Sequence, residues 1–303
     1  MKVLVTGVTG QLGHDVMLEL NRRDHEAAGT ARRQPEELPD GADFIQMDLS
    51  DEASVKIAMS ELRPDAVIHC AAWTAVDAAE EPENRKVVYS ANVLATRFLA
   101  EACTSVGAKM LYLSTDYVFD GRGTRPWEAD DTCFAPLNYY GETKLLGERA
   151  VAEALEKYFI VRIAWVFGKN GKNFIKTMLN AGRSHDAVQV VNDQVGTPTY
   201  TFDLARLLVD MIETEKYGCY HATNAEETPG GYISWYDFTR EIYRQTGLNT
   251  ELVPVSTAEY GLSKAVRPFN SRLDKRKLLE VGFTPLPGWK DALHRYLLEI
   301  GEL

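Results

Sequence analysis

A chain of 303 residues with 45% hydrophobic and 25% charged residues has the composition of a soluble globular protein, long enough for one large α/β unit or a core with a smaller second lobe. Its net charge of −11 argues against the clustered Lys and Arg surface by which proteins follow a nucleic-acid backbone, so a small-molecule partner and no nucleic acid are expected. No apolar run reaches the length of a membrane span, Met1 leads directly into strand-like residues, and Cys70, Cys103, Cys133 and Cys219 form no C-x-x-C pair. The expectation is a cytoplasmic protein without membrane contact, with buried thiols and neither a zinc site nor a redox dithiol.

In chain order, short β-branched runs alternate with longer amphipathic stretches. Strands are predicted at residues 3–6, 26–30, 43–47, 66–70, 109–114 and 159–163, with helices at 11–23, 52–62, 83–106 and 138–157 between them. This alternation is that of an α/β fold with a Rossmann-type doubly wound parallel sheet, whose ligands sit at the carboxyl ends of the strands. Beyond residue 168 the rhythm breaks into Gly-Lys-Asn-Gly, Asp-Gln-Val-Gly-Thr-Pro-Thr and Thr-Pro-Gly-Gly, with shorter helices at 235–246 and 289–300. The division read from this is an NAD(P)-binding domain over 1–168, taking in parts of 190–225, and a smaller C-terminal substrate-binding lobe over 169–303.

Gly7-Val8-Thr9-Gly10-Gln11-Leu12-Gly13 follows the first strand and opens the first helix. Glycines there allow a tight turn and the close approach of a pyrophosphate, which then faces the unpaired N–H groups and favourable dipole of the helix N-terminus. Gly7, Gly10, Gln11, Leu12 and Gly13 are therefore candidate cofactor residues, against the alternative of a simple strand-to-helix turn. A cofactor with a free ribose 2′-hydroxyl calls for an acid at the end of the second strand. The run there is Gly29-Thr30-Ala31-Arg32-Arg33, which has no carboxylate and two cations. That tilts the choice to NADPH over NADH, with Arg32 as the phosphate partner and a solvated Arg pair as the alternative. Asp48 and Leu49 past the third strand, and Ala71, Ala72, Trp73 and Thr74 past the fourth, reach the same sheet edge and suit the adenine and nicotinamide-ribose sides. Asp48 suits the cap of the following helix equally well.

Tyr140-Gly141-Glu142-Thr143-Lys144 places a phenol and an ammonium four residues apart on one helix face. A phenol is a poor acid–base group at neutral pH until a cation stabilises its anion, and Lys144 supplies that cation while offering donors to ribose hydroxyls. Alone, the pair is a common surface pattern. The fifth strand, however, ends at Thr115, whose hydroxyl stands where it could meet a substrate oxygen, so hydroxyl, phenol and ammonium form one constellation. Tyr139 competes for the acid role but stands five residues from Lys144 and points off that face. Trp165 ends the sixth strand and either stacks on a flat ring in the cleft or packs in the core.

With these residues in view, the chain resembles an extended short-chain dehydrogenase/reductase, and more narrowly the dTDP-4-dehydrorhamnose reductase family. The resemblance rests on the Gly7 to Gly13 turn, Ala-Ala-Trp-Thr-Ala-Val-Asp-Ala-Ala-Glu at 71–80, Ser-Thr-Asp-Tyr-Val-Phe-Asp-Gly at 114–121, and the Tyr140 segment ending in Lys144-Leu145-Leu146-Gly147-Glu148. Val-Gly-Thr-Pro-Thr at 195–199 and Arg-Pro-Phe-Asn-Ser-Arg-Leu-Asp at 267–274 extend it over nearly the whole chain. It implies reduction of the 4-keto group of a dTDP-linked 4-keto sugar, dTDP-4-dehydro-β-L-rhamnose, to dTDP-β-L-rhamnose, the last step in making that sugar donor. It further implies that Tyr140 protonates the developing alkoxide, that Thr115 and Asp116 contact the sugar, and that Trp165 borders the nucleotide. Gly10, Gln11, Leu12, Asp48, Leu49, Ala72, Trp73, Thr74, Tyr140 and Lys144 would hold the cofactor, and Arg267 and Asn270 would reach the nucleotide diphosphate. Thr30 stands where some members carry an acid, which leaves NADH open. Some members form magnesium-dependent dimers through acidic residues; this chain has no distinctive carboxylate cluster, so no metal is predicted, although Mg²⁺ in an assay and a homodimer are both compatible with it. Two alternatives are an NDP-sugar epimerase or dehydratase of the same fold, which regenerates its nucleotide, and a non-catalytic regulatory subunit that binds nucleotide and a partner enzyme.

Overall fold

The computed structural model describes residues 1–32 and 43–303, so Arg33 lies outside the described residues. Seven strands form the main sheet: β1 (Lys2–Thr6), β2 (Glu26–Ala31), β3 (Asp43–Gln46), β4 (Ala66–His69), β5 (Lys109–Thr115), β6 (Tyr158–Ile163) and β7 (Gly218–His221). All pairs are parallel, in the order β7-β6-β5-β4-β1-β2-β3, so the direction of winding reverses between β1 and β4. A crevice at the carboxyl ends of the strands follows from that reversal.

The central strands read as unbroken apolar runs because both faces of the sheet are covered. Val3, Val5, Ile68, Leu111 and Val161 pack on one side against helices α1 (Gln11–Arg22) and, from far along the chain, Thr201–Ile212. Leu4, Val67, Met110 and Ile160 pack on the other against α2 (Glu52–Leu62), α3 (Ala95–Val106) and α4 (Tyr139–Ala154). Local chemistry fixes where these helices start. The Asp51 side chain accepts from the Ala53 N–H to cap α2, and the Asn138 side chain accepts from the Gly141 N–H at 2.8 Å to cap α4.

Two elements differ from the sequence-based expectation. The helix expected over 83–106 is broken into Arg85–Tyr89, a π-helical turn at Ser90–Leu94 and then α3, a wide turn that periodicity does not reveal. The edge strand β7 pairs with β6 in register Gly218↔Phe159 to His221↔Arg162. Its four residues, Gly-Cys-Tyr-His, lie far along the chain from the other strands and include no β-branched residue to announce them.

The remaining elements include α5 (Phe174–Ser184), α6 (the Thr201–Ile212 helix), α7 (Trp235–Thr246) and α8 (Trp289–Glu299). A separate aromatic-rich cluster that includes Phe167, Ile175, Tyr200, Phe238, Trp289 and Tyr296 binds α5, α7 and α8 together beside the sheet edge. A three-stranded sheet of Ile233–Ser234, Val195–Gly196 and Asn270–Ser271 brings distant segments of this region together. Among the described residues, no helix is long and apolar enough to cross a membrane.

Candidate active site

The turn between β1 and α1 is closed by backbone contact. Gly7 has φ +69°, and a Cβ there would sit 2.8 Å from the Ala71 nitrogen; a Cβ on Gly13 would sit 2.3 Å from the Gly7 oxygen. Only glycine fits either position without movement of backbone. Gly10 begins α1 with no side-chain cap, and no acidic residue occupies its first turn, so the helix offers N–H donors to an anion.

A cleft of about 830 Å³ opens at this edge. Its lining takes in Gly7, Gly10, Gln11, Leu12 and Gly13 from the turn, Arg32 after β2, Asp48 and Leu49 after β3, and Ala71, Ala72, Trp73 and Thr74 after β4. Thr115 and Asp116 after β5, Tyr140 and Lys144 on α4, and Trp165 after β6 complete it. Most of the sequence-predicted site residues therefore meet in one space. The cap of α2 is Asp51, which leaves Asp48 free of that role; Asp48 accepts from the N–H and hydroxyl of Ser50, and these bonds hold its carboxyl below the usual range, with Arg32 adding to the effect. At the end of β2, the buried Oγ1 of Thr30 has no hydrogen-bond partner.

The reacting corner is held by α4 and β5. Lys144 Nζ donates to the Leu113 carbonyl at 2.6 Å and lies 4.1 Å from the centre of the Tyr112 ring, and burial presses its ammonium down to about 7. Thr115 Oγ1 donates to Asp116 Oδ1 at 3.0 Å, and burial lifts the Asp116 carboxyl to about 6. For Tyr140 the direction runs against the sequence-based argument. Withdrawal from water, and then the charge of Asp116, raise its phenol above the ordinary value, while a hydrogen bond with Thr115 works the other way. The phenol is thus held protonated, the state a proton donor needs. Tyr139 turns away as expected, its hydroxyl donating to the Arg85 carbonyl at 3.2 Å.

Three residues escaped the sequence reading. Asn92, inside the π-helical turn, accepts from the Trp73 N–H at 2.8 Å and donates to Thr143 Oγ1 at 3.0 Å, tying the cofactor-side loop to α4. Trp235 stacks on Trp165 with centroids 3.7 Å apart and planes at 17°. Asp77, on the short helix Val76–Ala79, accepts a two-pronged bond from Arg267, at 3.0 Å and 2.7 Å. None of these pairings has a spacing signal in the sequence.

Trp165 has φ +53°, a region that costs a bulky residue on the order of 1–3 kcal/mol, and its carbonyl is held by the Thr199 N–H at 3.1 Å. Arg267 and Asn270, expected at the nucleotide diphosphate, lie outside the cleft lining. The Arg267 fork is taken up by Asp77, and the buried Asn270 amide donates to the carbonyls of Arg122 and Arg125, holding the loop that contains them. Of the thiols expected to be buried, Cys103 is buried, Cys70 and Cys219 are partly covered, and Cys133 is exposed. No group of three or more His, Cys, Asp or Glu able to hold a metal ion occurs among the described residues.

A parallel sheet wound about a β1–β4 reversal, a glycine turn at its edge, and Thr, Tyr and Lys gathered over one cleft define a dinucleotide-dependent oxidoreductase of the short-chain dehydrogenase/reductase type. The family described as RmlD substrate binding domain matches residues 1–301, and the chain belongs to it. It is 39% identical over 297 residues to a dTDP-4-dehydrorhamnose reductase of Streptomyces griseus, covering 96% of this chain and 91% of that protein. It is 36% identical over 298 residues to the spore coat polysaccharide biosynthesis protein SpsK of Bacillus subtilis, covering 98% of this chain and 97% of the relative. Among solved structures, the Bacillus anthracis dTDP-4-dehydrorhamnose reductase in complex with NADP superposes with a TM-score of 0.88 at 36% identity, covering 98% of this chain and 99% of that one.

Proposed function

We propose that this protein reduces the 4-keto group of dTDP-4-dehydro-β-L-rhamnose to give dTDP-β-L-rhamnose, with NADPH as reductant and NADH as its substitute. The observation that carries the reading is the meeting of Thr115, Tyr140 and Lys144 with the Gly7 to Gly13 turn in one cleft, within a chain similar along its length to reductases of that name.

The cleft suits a dinucleotide. The α1 N-terminus and the Gly7, Gly10 and Gly13 backbone would take the pyrophosphate, the orphaned Thr30 hydroxyl and Arg32 the adenosine ribose and its 2′-phosphate, and Asp48 with Leu49 the adenine side. Ala71, Ala72, Trp73 and Thr74 would border the nicotinamide ribose, with Lys144 donating to its hydroxyls. When bound, the reduced nicotinamide supplies the hydride that C4 of the sugar accepts. Tyr140 gives its proton to O4 as negative charge develops there, a contribution typically of about 10² to 10⁴ in rate. Thr115 and Asp116 hold the sugar oxygens so that O4 faces the phenol, and Trp165 closes the far side. In this division of labour the cofactor belongs to residues 1–168 with β7 and α6, the nucleotide sugar to the cluster of α5, α7 and α8, and the setting is cytoplasmic.

One assay tests the reading. Purified protein mixed with dTDP-4-dehydrorhamnose should consume NADPH stoichiometrically, and NADH more slowly, with dTDP-rhamnose as product. Binding of NADPH without its oxidation by any dTDP-4-keto sugar would overturn it in favour of a non-catalytic role.

A further inference from the structure

Trp165 is the large flat side chain on the far wall of the cleft, and two constraints fix it. Its backbone is held in the left-handed region, with its carbonyl bonded to Thr199. Its indole lies nearly parallel to that of Trp235, 3.7 Å away. At that separation a tilt of either ring drives its edge into the other, so steric contact restrains the plane of the Trp165 indole. Trp235 lies outside the cleft lining and is itself anchored: Phe174 packs on it at 4.3 Å, and Ser234 with Asp237 forms a reciprocal cap that pins the start of α7. An aromatic chain thus runs from Phe174 on α5 through Trp235 on α7 to the cleft wall.

We propose that Trp235 is a positioning residue for nucleotide-sugar binding: by occupying one face of Trp165 it sets the plane of that indole, leaving the other side as a rigid platform for a ring of the ligand. This rests on the functional reading above. The ring is either the thymine base or the deoxysugar, since both offer a flat or weakly polar face to an indole. Trp235 touches neither ligand nor cofactor; it acts by removing the freedom that Trp165 would otherwise lose on binding.

The test is calorimetric titration of the full chain with NADPH, dTDP and dTDP-rhamnose, using wild type, Trp235→Leu, Trp235→Phe and Trp165→Leu. Trp235→Leu keeps apolar volume but not a planar face, and should raise the Kd for dTDP-rhamnose by about ten-fold, whereas Trp235→Phe should restore most of the affinity. The Kd for NADPH should stay within about two-fold in both, and KM for the sugar should rise while kcat at saturation holds. An effect equal for dTDP and dTDP-rhamnose identifies the base as the stacked ring; an effect confined to dTDP-rhamnose identifies the sugar. The proposal is overturned if Trp235→Leu leaves nucleotide-sugar affinity unchanged, if NADPH binding weakens in parallel, or if phenylalanine fails to rescue. If wild type binds and reduces the keto sugar while Trp235→Leu and Trp235→Phe both behave like it, only this inference falls. If wild type does not bind the nucleotide sugar, the functional reading falls too.

Discussion

The two halves of the cleft are built by different means. Beside β1 and β4 the wall is closed by backbone approach, with Gly7 against Ala71 and Gly13 against Gly7. Beside β5 and β6 it is side chains set by distant partners: Trp165 by Thr199 and Trp235, and the neighbouring Arg267 by Asp77. The first kind of wall is specified by backbone approach that only glycine permits, within the turn and between β1 and β4; the second depends on how large side chains from separate segments pack. The reacting groups sit where the halves meet.

The largest effect should come from that junction. Tyr140→Phe removes the proton and leaves the ring, so turnover should fall by on the order of 10² or more while NADPH affinity stays within several-fold. Steady-state rates with a fluorescence titration of NADPH check both parts, and an unchanged kcat would remove Tyr140 from the chemistry. Next comes the backbone-built half. In Gly13→Ala the new Cβ meets a carbonyl oxygen at 2.3 Å that no side-chain rotation relieves, so the turn must open. NADPH binding should weaken by roughly ten-fold or more, with dTDP binding nearly unaffected. Equal losses for both ligands would show that the halves are not separable.

This difference also explains what was legible in the sequence. Six of the seven main strands and the glycine turn could be read because unbroken apolar runs and glycines at fixed positions are local signals. Tyr140, Lys144 and Thr115 followed from helix spacing and strand ends. The stack of Trp235 on Trp165, the Asn92 bridge from a π-helical turn, and the capture of Arg267 by Asp77 were not legible, because each is a contact between segments whose relative position only the folded chain defines. The direction of the Tyr140 shift was missed for a related reason. Spacing shows which cation is near in sequence but says nothing of how far the phenol is withdrawn from water, and burial prevails.

The ammonium of Lys144 gives a smaller, pH-dependent effect. Pressed down to about 7 by burial, it is charged below that pH and neutral above it in the free protein. If the charged form is the one that receives the cofactor ribose, kcat/KM for NADPH should decline as pH rises through about 7, by roughly ten-fold per unit beyond it. The stability sign is opposite. The unfolded chain keeps this proton up to the ordinary lysine value, so between about 7 and that value the unfolded state binds more protons and stability rises with pH. Urea midpoints of wild type minus Lys144→Met should show that rise. A pH-independent kcat/KM from 6 to 9, on the order of the range such profiles cover, would mean that the cofactor itself sets the protonation state.

The smallest effect separates two roles for Arg267. Its pair with Asp77 is only partly covered, with the carboxylate side chain 43% exposed, so as a tie between the post-β4 helix and the 264–270 segment it is worth no more than about 1 kcal/mol. Asp77→Ala and Arg267→Ala should then each raise KM for the nucleotide sugar by about two- to three-fold, and the double variant should match either single one, because both remove the same interaction. The alternative, implied by family resemblance, has Arg267 leaving Asp77 to meet the diphosphate when substrate enters. In that case Asp77→Ala frees the guanidinium and lowers KM, whereas Arg267→Ala raises it far more than three-fold, since a charged bond to phosphate is lost. Opposite signs from the two single variants would return Arg267 to the substrate half of the cleft; equal and non-additive increases would leave it as the tie the structure shows.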